Sequence, residues 1–130
     1  MPQIENDDLQ CPEYWDQQGC ALCAQEEFTQ AIAAFDQAIA LNPTYSKAWN
    51  NRGNAFSGLK RYAEAIASYD KAVSIQPRYH QAWFNRGLSF AEMKAYGNAL
   101  QSYDRAIAIN PEPCYLHARE DIWLKRKLFA

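Results

Sequence analysis

Apolar residues recur along this chain at steps of three, four and seven. Ala48, Trp49, Phe56 and Leu59 form one such series, and Ala82, Trp83, Phe90 and Met93 form another. Those steps place the side chains on one stripe of a helix, whereas a strand would need alternation. A second kind of stretch follows, with Ala65, Ile66, Tyr69, Ala72, Val73 and Ile75 again at helical spacing. Tyr62 and Tyr96, with Phe28 earlier in the chain, mark the entry to these second helices. Pro43, Pro77 and Pro111 close them, because proline lacks the N–H and clashes with the preceding turn. Helix follows helix with no β-type alternation, so the expected class is all-α.

The pattern repeats. Asn42-Pro43, Gln76-Pro77 and Asn110-Pro111 are spaced by 34 residues, as are Trp15, Trp49 and Trp83, and Gly19, Gly53 and Gly87. Counted from Pro12, three repeats run over 12–45, 46–79 and 80–113, and the second and third share 15 of 34 residues. A glycine inside a helix costs about 1 kcal/mol relative to alanine, so three at one repeat position need a reason. Close approach of paired helices supplies it, aided by Ala31, Ala65 and Ala99. Phe35, Tyr69 and Tyr103, four residues beyond those alanines, are expected to fill the space between one helix pair and the next.

Trp-x-x-x-Gly-x-x-Leu/Phe, then Ala-x-x-x-Phe/Tyr, then Ala and Pro, resembles the tetratricopeptide repeat. The residues are Trp15, Gly19, Leu22, Ala31, Phe35, Ala38 and Pro43, with the equivalent sets from Trp49 to Pro77 and from Trp83 to Pro111. The leucine usual before the glycine is replaced by Gln18, Arg52 or Arg86; an arginine there can lay its stem on the seam and keep its head in water. The resemblance implies three antiparallel helix pairs in a right-handed superhelical stack, an α-solenoid. Residues 114–130 are expected to add a terminal capping helix. In repeat register His117 takes the place of tryptophan, Asp121 of glycine and Leu124 of the apolar site, with Leu116, Leu124 and Leu128 covering the third repeat. The rival reading is a fourth repeat cut from a longer regulatory protein. Residues 1–11 read as a mobile acidic tail.

Arrays of this family line a concave groove with the first helix of each repeat. The resemblance assigns Asp16, Lys47, Asn50, Asn51, Asn54, Gln81, Phe84, Asn85 and Leu88 to that groove, with Tyr115, Ile122, Lys125 and Arg126 added by the cap. Asn51 and Asn85 share a repeat position and resemble the asparagine ladder by which some such superhelices hold an extended peptide, an amide being both donor and acceptor. The alternative is that asparagine here bonds the neighbouring repeat or water. Phe84 and Leu88 would form an apolar pocket, or else lie buried under the cap. The family's carboxylate clamp for chaperone C-terminal tails is not expected: at its five positions stand Asp16, Cys20, Asn51, Gln81 and Asn85, and only Asn51 agrees.

Composition narrows the function. The 130 residues are 48% hydrophobic and 22% charged, enough apolar content for a core. Thirteen basic against fifteen acidic residues give a net charge of -2, unlike a dedicated nucleic-acid binder. Charge is uneven: residues 1–46 hold eight acids and no base, while 114–130 hold four bases and two acids. No apolar run is long enough for a membrane span and the start has no signal-like segment, so the expected compartment is the cytoplasm. Cys20 and Cys23 lie well inside a helix, away from the N-terminal dipole that activates a redox pair, and with Cys11 they match no common zinc spacing. No phosphate loop, metalloprotease or serine-hydrolase motif is present, so neither enzyme activity nor a cofactor is expected. The style of the repeats resembles bacterial arrays. The expected function is protein–protein interaction: an adaptor or assembly factor that grips a peptide or helix in the groove, with self-association as the rival.

Overall fold

The computed structural model describes residues 7–129. Residues 1–6 of the expected acidic tail lie outside the described residues. Among the described residues seven α-helices follow one another: α1 Pro12–Ala24, α2 Phe28–Leu41, α3 Ser46–Gly58, α4 Tyr62–Ile75, α5 His80–Glu92, α6 Tyr96–Ile109 and α7 Pro113–Phe129. The second helices start at Phe28, Tyr62 and Tyr96, the three aromatics that the spacing singled out. Each first helix packs on the second of its own pair, and each second helix packs on the next first helix. No strand occurs among the described residues.

Why the pairs nest is visible at the glycines. A Cβ at Gly53 would come within 2.5 Å of the Tyr69 ring, and one at Gly87 within 2.5 Å of Tyr103. Gly19 meets Phe35 in the same way. These aromatic rings therefore press on their own pair's glycine. Phe35 also reaches Ala55 of the next pair, so it closes both seams. The turn from first to second helix passes through Glu26, Lys60 and Lys94, each left-handed at φ near 60°. Tryptophan ties each first helix to the linker before it. The indole N–H of Trp49 donates to the Pro43 carbonyl, that of Trp83 to Pro77, and that of Trp15 to Leu9. Asp8–Gln10 form a 3-10 turn, so this part of the expected tail is folded against α1.

The arginines that replace leucine do more than keep a wet head. Arg52 donates to Asp36 on α2 at 2.8 Å and to Ser68 on α4 at 2.9 Å, while its guanidinium lies over Phe56. Arg86 repeats the arrangement with Asp70, Ser102 and Phe90. Each arginine thus joins three helices. The acids of such pairs are exposed residues of the second helices: Asp70 takes Arg86 and Asp104 takes Arg119.

The terminal helix departs from the expected register. Four residues link α2 to α3 and α4 to α5, but only three link α6 to α7. Pro113 stands where the repeats have Tyr45 and Tyr79, and its fixed φ starts the helix one residue early. The ion pairs record the slip: Asp36–Arg52 and Asp70–Arg86 are 16 apart, Asp104–Arg119 is 15 apart. So Tyr115 and Ile122 occupy the places of the buried Ala48 and Ala55, and Leu116 and Trp123 those of Trp49 and Phe56. Ile122, only 3% exposed, is packed with Ala99, Leu100 and Tyr103. It covers the third repeat from within the core and does not line the groove. Leu116, Leu124 and Leu128, expected to provide that cover, stay exposed.

Candidate functional site

First helices touch along one side of the stack, α1 with α3 and α3 with α5. These three helices form the inner face, and the sequence fixes which side chains they present. A polar seam runs between them. Asp16, 1% exposed, accepts from Asn51 Nδ2 at 2.9 Å, with Lys47 Nζ at 3.9 Å. One repeat on, Asn85 Nδ2 donates to Asn50 Oδ1 at 3.2 Å. A buried carboxylate or amide without a partner would be costly, and each of these has one.

The residues of the expected peptide-holding ladder are engaged between repeats. Asp16, Asn50, Asn51 and Asn85 bond one another between repeats, 35 residues apart in each case, and Asp16 and Asn50 are buried. Asn51 and Asn85 each use an amide N–H to join helices, and Asn50 uses its oxygen. The seam ends at repeat three, where the position held by Asp16 and Asn50 is Phe84. Its ring packs against Tyr115 at 4.4 Å and Tyr103 at 5.4 Å, half-buried beneath the terminal helix. His80 Nδ1 lies 2.8 Å from the Tyr115 hydroxyl and continues the contact to α7.

What the inner face leaves to solvent is a smaller set. Lys47, Asn54, Gln81 and Leu88 are exposed, with Leu88 at 41%. Cys20 and Gln17 are exposed beside them. Asn54 accepts from the Tyr69 hydroxyl at 2.6 Å and keeps its amide N–H groups for a ligand. The exposed strip therefore passes from a cation through amides to an apolar patch. The signal that would have found this strip in the sequence is repeat position: the second and ninth residues stay outward, and the fifth turns inward.

The thiols of this face are held above the ordinary thiol range. Burial pushes Cys23 up to about 11, with Cys20 adding to the effect. Cys20 is also raised, first by burial and then by the nearby Asp16 charge, against a smaller opposite pull from Lys47. Among the described residues no group of three His, Cys, Asp or Glu side chains is arranged to share a metal ion. No helix among them is long and apolar enough to cross a membrane.

Two family models, both described as tetratricopeptide repeat, match residues 17–79 and 80–113. No curated protein matches the sequence. Among solved structures, the Arabidopsis OM64 TPR domain is 21% identical with a TM-score of 0.86, covering 91% of this chain and 98% of that one. The first TPR domain of Spaghetti (RPAP3), bound to the HSP90 peptide SRMEEVD, is 20% identical with a TM-score of 0.87, covering 91% and 94%. The Sgt2 TPR domain from Aspergillus fumigatus is 26% identical with a TM-score of 0.83, covering 90% and 78%.

Proposed function

The chain belongs to the tetratricopeptide repeat family, and from that premise we propose that it is a non-catalytic adaptor or assembly factor that binds a peptide segment along the inner face. In this reading residues 12–113 are the three repeats and α7 is the cap. The observation that carries it is the exposed strip of Lys47, Asn54, Gln81 and Leu88 on α3 and α5, beside inner-face polar groups that bond one another. A preorganised surface with a few free donors holds a flexible segment at small ordering cost. Asn54 and Gln81 would bond the segment's main chain, Leu88 would take an apolar side chain and Lys47 a negative one.

One neighbour is bound to an HSP90 peptide, but this chain is not proposed to share that ligand. Asp16 occupies a position where the carboxylate clamp needs a cation, and Asn51, the one matching residue, is committed to Asp16. A peptide ending in a free carboxylate next to acidic residues would meet like charge there.

The experiment is capture of partners from the native lysate with the wild type and with Asn54→Ala/Leu88→Asp. Both side chains are exposed, but Asn54 also accepts from the buried Tyr69 hydroxyl, so circular dichroism and a urea midpoint must first show that the fold is kept. Loss of the captured proteins with the double variant is the expected result. Full retention with the fold intact would remove the inner face as the binding surface.

A further inference from the structure

The outward side of α7 is a helix-docking face without its helix. By the one-residue slip, Leu116, Glu120 and Trp123 stand where Trp83, Gly87 and Phe90 receive α6 in the third pair. No second helix packs on α7 among the described residues. Trp123 is 60% exposed, Leu124 53% and Leu128 75%. A cavity of about 620 Å³ opens beside them, between α6 and α7, with Leu100, Leu116 and Arg119 in its lining.

We infer that this face is covered by α7 of a second copy, packed antiparallel about a two-fold axis that passes between Trp123 and Leu124. The charges argue for self-pairing. Glu120 and Lys127 lie on the same outward stripe and flank Trp123 and Leu124. Seven residues separate them, about 10 Å along the axis, so they do not meet within one helix. Neither has an ion-pair partner among the described residues, whereas Arg119 and Lys125 are paired with Asp104 and Asp121. An antiparallel copy about that axis brings Glu120 to Lys127 twice, and Trp123 to Leu124 twice. The same symmetry sets Leu128 beside the other copy's Arg119, at the mouth of the cavity. Second helices run antiparallel to first helices throughout this array, so the copy's α7 enters in the sense the face already accepts. Glu120, where the repeats have glycine, keeps the axes further apart than in a repeat pair.

The patch is small beside the roughly 1,200–2,000 Å² of a stable interface, so the association is weak. Sedimentation velocity of the full chain from about 1 µM to about 1 mM should show a monomer–dimer equilibrium with a Kd on the order of 10–100 µM. Glu120→Lys and Lys127→Glu should each weaken it about tenfold by setting like charges together, and the two combined should restore it. Circular dichroism of each variant guards against loss of the helix. A chain that stays monomeric at the highest concentration overturns the inference. So does a dimer indifferent to either single reversal, or a combined variant that stays as weak as the single ones. Binding of a monomeric chain to vesicles of anionic phospholipid would assign the face to a membrane surface instead. The readout is self-association alone, so its failure leaves the inner-face reading untouched.

Discussion

At the scale of single residues, the same backbone device recurs three times and makes opposite demands on side chains. Gly53 tolerates nothing larger because the Tyr69 ring occupies the space of its Cβ. Gly53→Ala should destabilise the protein by about 2–3 kcal/mol, read as a fall in the urea midpoint, because a buried ring cannot move without opening the pair. Gly97, in the first turn of α6, meets nothing within 4 Å, and Gly97→Ala should gain up to about 1 kcal/mol. Equal effects from the two substitutions would contradict the packing argument. Lys94 sits in the left-handed region at φ 61°, where a Cβ is strained. Lys94→Gly should raise the thermal midpoint by an amount equivalent to about 0.5–1 kcal/mol; a fall would mean that the lysine side chain contributes more than its backbone costs.

At the scale of elements, stability is held at the seams where three helices meet. Arg86 joins α4 through Asp70 and α6 through Ser102 while its guanidinium covers Phe90. Arg86→Met keeps the apolar stem and removes the bonds, and should cost about 1–2 kcal/mol. Asp70→Asn should cost under about 1 kcal/mol, since that carboxylate is half exposed and largely solvated. A larger loss from the aspartate than from the arginine in urea titrations would refute this order. The elements were legible in the sequence because helix starts and stops are local: Tyr62 and Pro77 announce α4 without any knowledge of the fold. The roles of Asn51 and Asn85 were not, since an exposed amide and one bonded 35 residues away read alike. The slip of α7 had a visible cause in Pro113, but 34-residue counting carries the register straight past it and assigns Ile122 to the wrong face.

At the scale of the whole molecule, the aromatic and thiol groups used to close the seams set its response to base. Burial holds the Tyr103 hydroxyl up to about 12 and the Tyr115 hydroxyl likewise, and Cys23 up to about 11. Tyr45 is raised to about 12 by burial and then by the charge of Asp16. In the unfolded chain tyrosine ionises near 10 and cysteine near 8.5–9. The unfolded chain therefore releases these protons first. Stability from these groups is fully present below about pH 8 and is lost as the pH rises towards 12. The urea midpoint should be flat from pH 7 to about 8 and then fall, first through Cys23 and then through the tyrosines. Tyr103→Phe tests the cause, because repeat one already carries phenylalanine at that place and Phe35 packs on Gly19 as Tyr103 packs on Gly87. The variant should match the wild type at pH 7, since Tyr103 contributes its ring there, and should lose less between pH 10 and 12. An alkaline fall as steep as that of the wild type would shift the cause from the Tyr103 phenol to the other raised groups, Cys23, Tyr45 and Tyr115.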